Sequence, residues 1–206
     1  MREIICHDAI PWLRHNHDVG AVITSLPDAE EMGLPFDQWE EWFIHAAHLC
    51  MNAASLDQPC IFYQTDRKVA GRLSSKASLL MRAADKKVKM NLLWHKIVMR
   101  RSPGGVDLFR PGFSHLLAFS SEATSGSATP DVLQKAASVY QNGFPINAAR
   151  IAVEFAIASR AQVIVDPFCG RGTVPALAEM LKIKSIGIDI DPAQCESAKR
   201  LRFKDS

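Results

Sequence analysis

The feature that most limits what this chain can fold into is a glycine-bearing turn placed late in it. A strand-like apolar run at 162–165 leads into Asp166-Pro167-Phe168-Cys169-Gly170-Arg171-Gly172-Thr173, and a helical pattern at 174–181 follows. Gly170 and Gly172 let the backbone turn tightly and approach a ligand. The helix start behind them presents N–H groups with no partner in the helix. A second strand-like run, 185–188, ends at Asp189, where an acid can accept hydrogen bonds from the two hydroxyls of a ribose. The third glycine of a dinucleotide fingerprint is replaced by Pro175, and no Gly-Lys-Ser/Thr follows, so neither that fingerprint nor a phosphate loop is present. On the glycines alone, a purely structural strand–turn–helix is an equal reading. Only 33 residues follow Thr173. They are too few to complete a sheet, so the remaining strands must come from upstream.

Upstream, short β-rich runs alternate with longer helical ones. Strands are expected at 3–7, 19–24, 59–64, 91–99 and 115–120, and helices at 9–15, 36–51, 74–88 and 146–159. Trp39, Phe43, Ala46, Ala47 and Cys50 recur at helical spacing, as do Ala77, Leu80, Met81 and Ala84. Asp37 suits the positive end of its helix dipole, and Pro192 suits the first turn of a last helix. Strands apolar on both faces, alternating with helices, predict a mainly parallel sheet covered on both sides. The expected fold is an α/β, Rossmann-like three-layer sandwich in a single domain spanning 1–206. The small polar residues of 120–130 predict a mobile surface loop within a low-aromatic stretch, about 121–141.

The chain's 206 residues suffice for one domain with a substantial core. No apolar run reaches the length of a membrane span, and the first residues lack the pattern of a secretory leader. Five scattered cysteines without a C-x-x-C read as reduced thiols, with no disulfide frame or zinc site expected. A cytoplasmic protein is the default expectation, a nuclear one the alternative. His15/His17 and His45/His48 have spacings a metal could use, but no third ligand is evident, so no metal is expected.

Taken together, Asp166-Pro167-Phe168-Cys169-Gly170-Arg171-Gly172-Thr173 resembles the D-P-F-x-G-x-G-T motif of S-adenosylmethionine-dependent amino-methyltransferases that act on nucleic acids. Gly187-Ile188-Asp189-Ile190-Asp191 resembles their next motif. The segment Asn142-Gly143-Phe144-Pro145-Ile146-Asn147 resembles the extra cofactor motif of members with permuted order, in which the catalytic motif precedes the cofactor loop. The resemblance implies a circularly permuted, seven-stranded sheet with S-adenosylmethionine as cofactor. It places Asp166, Phe168, Gly170 and Gly172 along the methionine part of that cofactor and Asp189 at its ribose. Ala9, Pro145, Cys169, Thr173 and Ile190 complete the implied contacts. Asp8 would meet the adenine, while the residue-level reading makes it the cap of the helix after it; both roles can hold together.

By the same resemblance, Val19-Gly20-Ala21-Val22-Ile23-Thr24-Ser25-Leu26-Pro27-Asp28 is the catalytic strand and loop. The family pattern there is [DNS]-P-P-[YFW], whose polar residue and a backbone carbonyl accept hydrogen bonds from a target amine and whose aromatic stacks on an extruded base. Here one proline remains. Ser25 can still accept a hydrogen bond, and Asp28 stands where the aromatic would be. The expected catalytic set is Ser25, Pro27 and Asp28; the plain alternative makes Asp28 a helix cap.

A formal net charge of +2 hides a sharp asymmetry. Residues 67–101 hold eleven Lys or Arg against one acid, whereas 28–41 hold six acids and no base. Such a stripe can track a phosphate backbone or be a solvated face. Arg67, Lys68, Arg72, Lys96, Arg100 and Arg101 are the expected nucleic-acid contacts. Trp94 and Phe109 are candidates for base stacking, although core packing is the commoner role of such rings. The short, aromatic-poor 121–141 segment argues against a sequence-reading DNA enzyme acting alone. It suits a structured RNA such as tRNA, recognised by shape. The primary expectation is therefore RNA base methylation. The alternatives are a DNA amino-methyltransferase with a recognition partner, or a non-catalytic nucleic-acid- or protein-binding subunit. A homodimer is also open.

Overall fold

The computed structural model describes residues 1–69, 71–87, 90–102, 104–122, 128–140 and 143–203. Its elements, in chain order, are β1 (Arg2–Cys6), α1 (Ala9–His15), β2 (Ala21–Thr24), α2 (Ala29–Met32), α3 (Phe36–Ala53), β3 (Cys60–Gln64), β4 (Arg67–Val69), β5 (Arg72–Ser74), α4 (Lys76–Lys87), β6 (Asn91–Met99), β7 (Phe113–Ser120), β8 (Val132–Leu133), α5 (Ile146–Ala158), β9 (Val163–Asp166), α6 (Thr173–Met180), β10 (Lys184–Asp189) and α7 (Pro192–Arg200). Residues 123–127, within the expected mobile loop, lie outside those described, as does Asn142 of the extra motif.

Among the described residues the main sheet has eight strands in the order β1-β10-β9-β2-β3-β7-β6-β8. All neighbours are parallel except β3/β7 and β7/β6, so only β7 runs against the rest. The expectation of seven strands is thus exceeded by the two-residue β8, too short to leave a period in the sequence. The β4–β5 hairpin was also missed; it pairs only within itself and is largely polar. The long strands and helices lie within a few residues of their expected positions, and α1 and β6 match theirs.

The apolar surfaces of α1, α3 and α4 pack on one sheet face, around Leu13, Trp39, Phe43 and Leu80. Those of α5 and α6 cover the other, around Val153, Ile164 and Leu177. Burial on both faces is what the continuous apolar runs of β2, β3 and β9 require. The chain goes from β9 to β10 in one direction, while β2, on the other side of β9, is followed by β3 farther out. The crevice at the carboxyl ends of β9 and β2 is therefore a topological switch point, the place where open α/β sheets bind ligands.

Candidate cofactor cleft and catalytic turn

At that switch point lies a cleft of about 460 Å³, within the range of small-molecule sites. The residues after β1, β2, β9 and β10 form its walls, so sheet topology gathers segments far apart in the chain. Asp8, Ala9, Ser25, Pro27, Asp166, Phe168, Cys169, Gly170, Thr173, Asp189 and Ile190, all expected site residues, line it.

The floor is tied together by Thr24 at the end of β2, whose hydroxyl donates to Asp166 Oδ1 at 2.7 Å across the sheet. The Phe168 N–H donates to the same oxygen at 3.3 Å. Burial pushes the Asp166 carboxyl up to about 7, with these hydrogen bonds opposing the shift and nearby Asp189 adding to it. Because the folded value exceeds the ordinary 3.8, the folded protein holds more protons than the unfolded chain between those values. Stability should therefore fall as pH rises from about 4 to about 7. Asp166→Asn should remove that part of the slope, as read by urea denaturation across the window; an unchanged slope would contradict it.

Asp189 organises the glycine turn. One of its carboxylate oxygens accepts the Gly170 N–H and the other the Asp191 N–H, each at 2.9 Å. Gly170 has a positive φ of 52°, and a Cβ there would come within 2.5 Å of the Tyr140 hydroxyl. Gly172 also has a positive φ, but it turns away from the cleft, and a Cβ there would meet Ala198 of α7 at 2.7 Å. It permits close packing against α7 and is absent from the cleft lining. Asp8 caps α1, accepting the Ile10 N–H at 2.9 Å, while also facing the cleft; the two roles left open for it are sterically compatible.

Two further expectations are corrected. Asp28 is absent from the cleft wall and buried among cations: Lys76 and Arg110 both donate to its carboxylate, Arg110 at 2.8 Å, and Arg67 lies 3.6 Å away. It also N-caps α2, its own N–H donating to Glu31. A carboxylate so occupied is an anchor for the turn, not a group facing a base. Pro145 caps α5 and faces a second cavity; its neighbour Phe144 is the one that reaches the cleft. The turn itself is held from behind, with Trp39 Nε1 donating to the Pro27 carbonyl at 3.0 Å and Gln64 to the Leu26 carbonyl at 3.4 Å.

Sequence reasoning missed Trp42, Tyr140, Met32 and Gln194 in the cleft wall. Trp42 packs edge-on to Phe168, with ring centroids 5.9 Å apart. It lies in the helical segment 36–51 but outside the apolar stripe that the spacing singled out. Burial pushes the Tyr140 hydroxyl up to about 12, and its position just before the extra motif was the one available signal.

The basic stripe divides. Lys76 and Lys96 are buried. Lys96 is spent on the Thr129 carbonyl and Asp131, so it cannot reach a phosphate as expected. Trp94 packs edge-on against Phe155, a core role. Arg67 pairs with Asp28 and Glu30, Lys68 donates to the Asp107 carbonyl, and Arg72 is exposed. Lys89 and the side chains of Lys86 and Lys87 lie outside the described residues. No cluster of three or more His, Cys, Asp or Glu side chains among the described residues is placed to hold a metal, and no described helix is long and apolar enough to cross a membrane.

Fold, permuted motif order and cleft together define an S-adenosylmethionine-dependent methyltransferase. The cleft suits that cofactor on its own terms: carboxylates at Asp8 and Asp189 for hydroxyl and amine donors, a buried acid at Asp166, apolar Ile190, Trp42 and Phe168, and a glycine where a side chain would collide. Residues 85–200 match the family model described as DNA methylase. The chain belongs to this family of DNA methylases.

Among solved structures, the PvuII DNA methyltransferase (cytosine-N4-specific) superposes with a TM-score of 0.77 at 15% identity, over 100% of this chain and 88% of that one. A protein of Thermus thermophilus assigned as a DNA modification methylase, complexed with S-adenosyl-L-methionine, superposes with a TM-score of 0.73 at 16% identity, over 97% and 92%. The M1.HpyAVI complex gives 0.65 at 15% identity, over 97% and 98%. At such identities these similarities establish the fold. No curated protein matches the chain. The expectation of an RNA substrate finds no support in these comparisons, and the DNA alternative fits them better.

Proposed function

We propose that this protein transfers a methyl group from S-adenosylmethionine to an exocyclic amino group of a base in DNA. The observation that carries the reading is that the turn Ser25-Leu26-Pro27 opens into the same cleft as Asp166, Phe168 and Asp189. The cofactor supplies the electrophilic methyl group. The protein supplies placement and acceptors: Ser25 Oγ and the Leu26 carbonyl, to which Gln64 donates at a long 3.4 Å. Both can accept N–H groups of an amine, which raises electron density on nitrogen and orients its lone pair. Asp8, Asp166, Phe168 and Asp189 hold the cofactor. Asp28 cannot replace the stacking aromatic, so the apolar surface for an extruded base falls to Met32 and Trp42.

Sequence recognition belongs to a partner in this reading. Between β7 and α5 the described residues contribute only the two-residue strand β8, too little for a recognition domain of its own. The test is transfer of labelled methyl to DNA and to RNA by wild type and Ser25→Ala. Transfer to DNA is expected, with Ser25→Ala slower by about tenfold or more, the worth of one good hydrogen bond in the transition state. Binding of S-adenosylhomocysteine by both proteins without transfer to DNA or RNA by either would instead identify a non-catalytic subunit.

A further inference from the structure

Beside the cofactor cleft is a second cavity of about 490 Å³ with a different character. Arg100, Arg101, Arg110 and Lys135 line it, Tyr63 forms part of its wall, and no acid does. Arg101 and Arg110 are partly neutralised by carboxylates behind the wall, Asp107 at 2.6 Å and Asp28 at 2.8 Å. No described carboxylate pairs with Arg100 or Lys135. Burial lowers the Arg100 guanidinium below its ordinary value; Arg110 and Arg101 push in the same direction, while Tyr63 and Asp107 oppose them. Four cationic side chains thus line one cavity against two neighbouring carboxylates, an excess of positive charge that an anion in the cavity would balance.

The cavity's position gives the anion a meaning. Gly143 and Pro145 face this cavity while Phe144 between them faces the cofactor cleft, and Phe144 stacks on Tyr63 with ring centroids 4.8 Å apart. One stacked aromatic pair therefore stands between the two spaces. Arg110 joins this cavity to the catalytic turn through Asp28, three positions after Ser25.

We infer that this cavity is a phosphate subsite, taking a backbone phosphodiester beside the nucleotide whose base enters the cofactor cleft. The inference rests on the proposed action on DNA and adds Arg110 and Lys135 to the residues that hold it. Phosphate contacts fix register without reading sequence. Such a contact supplies the positioning that a chain with so short a recognition segment otherwise lacks. A phosphate here shares Arg110 with Asp28, so occupancy is felt at the turn that carries Ser25.

The test uses the protein saturated with S-adenosylhomocysteine and a fluorescent DNA oligonucleotide, single-stranded or duplex, titrated over a series of salt concentrations. Arg100→Gln and Lys135→Gln should each weaken binding and flatten the dependence of log affinity on log salt by up to about one unit, since the neutralisation of one phosphate is at stake. Lys184→Gln, at the opposite end of the sheet, is the control and should leave the slope unchanged. Affinity for S-adenosylhomocysteine should be unchanged in all three. DNA binding with slopes unaltered by both cavity variants overturns the subsite while leaving the proposed function standing. If wild type binds no DNA, the proposed function fails and the cavity is judged by inorganic phosphate and a deoxynucleoside 5′-monophosphate, followed by phosphorus NMR. Line broadening lost in both cavity variants supports a phosphate site serving a free nucleotide, and its absence in wild type overturns the site.

Discussion

Asp28→Ala should lower the unfolding free energy by about 3–5 kcal/mol, the usual cost of removing one partner from a buried ion pair. The side chains of Asp28 and Lys76 are 9% and 3% exposed, so solvent screens the pair little. Lys76 lies over the rings of Trp39 and Phe43 at 5.4 and 5.8 Å, and Asp28 is the carboxylate that it contacts directly, with Glu31 adding a weaker attraction. Burial already lowers the Lys76 ammonium below its ordinary value, and Asp28 is the main group opposing that shift. Without Asp28 the folded-state value drops further, the folded protein binds fewer protons than the unfolded chain, and stability rises with pH toward the ordinary 10.5. The Asp28→Ala deficit should therefore shrink in alkaline solution. Lys76→Met should cost far less, within about 1–2 kcal/mol, because an apolar side chain removes the desolvation penalty and Arg110 and Arg67 still pair with Asp28. The double variant should be less destabilised than the sum of the two. Urea denaturation of the four proteins at pH 7 and pH 9.5 decides it. A fully stable Asp28→Ala protein that has lost methyl transfer would return Asp28 to the catalytic set.

Asp189→Ala should weaken binding of S-adenosylhomocysteine by about a hundredfold or more. A carboxylate accepting two ribose hydroxyls makes charge-assisted hydrogen bonds worth about 1.5–3 kcal/mol each. The same substitution removes the acceptors of the Gly170 and Asp191 N–H groups, so the glycine turn loses its brace along with its ligand contact. Asp189→Asn separates the two effects, because an amide oxygen can still brace Gly170 without carrying charge; it should recover part of the affinity. Calorimetric titration of the three proteins, with Tm alongside, is the measurement. Equal affinity across the set would show that the cofactor is held elsewhere and would withdraw Asp189 from the site.

Much of the fold was legible because it rests on local periodicity. The helices around Trp39, Leu80 and Val153 announce themselves by apolar spacing, and β2, β3 and β9 by continuous apolar runs, since each must bury a defined face. The β4–β5 hairpin, β8 and α2 were not legible. They are short and held by what surrounds them; β4, β5 and α2 are largely polar, and β8 is only Val132-Leu133. The cleft was readable to the extent that its residues lie in contiguous motifs. Asp166 through Thr173 is one unbroken turn, and its late position alone required the permuted order. Trp42 and Tyr140 escaped because single aromatics in a helix and in a connecting segment carry no sign of what they will face.

The sequence by itself determined the order of the sheet's halves and the residues of the glycine turn, and through its resemblance to a known motif it implied the cofactor. Each depends on chemistry within a few consecutive positions: a strand, a backbone that reverses, an acid at the next strand's end. Only the tertiary structure decided what Asp28 does. Its neighbours in the chain read as a catalytic loop. The residues that claim its carboxylate, Arg67, Lys76 and Arg110, come from β4, α4 and the loop before β7. Charges that far apart in sequence meet only once the sheet is assembled, and the electrostatics of their meeting turns an expected active-site acid into an anchor. The same assembly buried Lys96 of the basic stripe and gathered Arg100 and Arg101 with Arg110 and Lys135, from outside the stripe, around one cavity, a sorting that composition alone could not make.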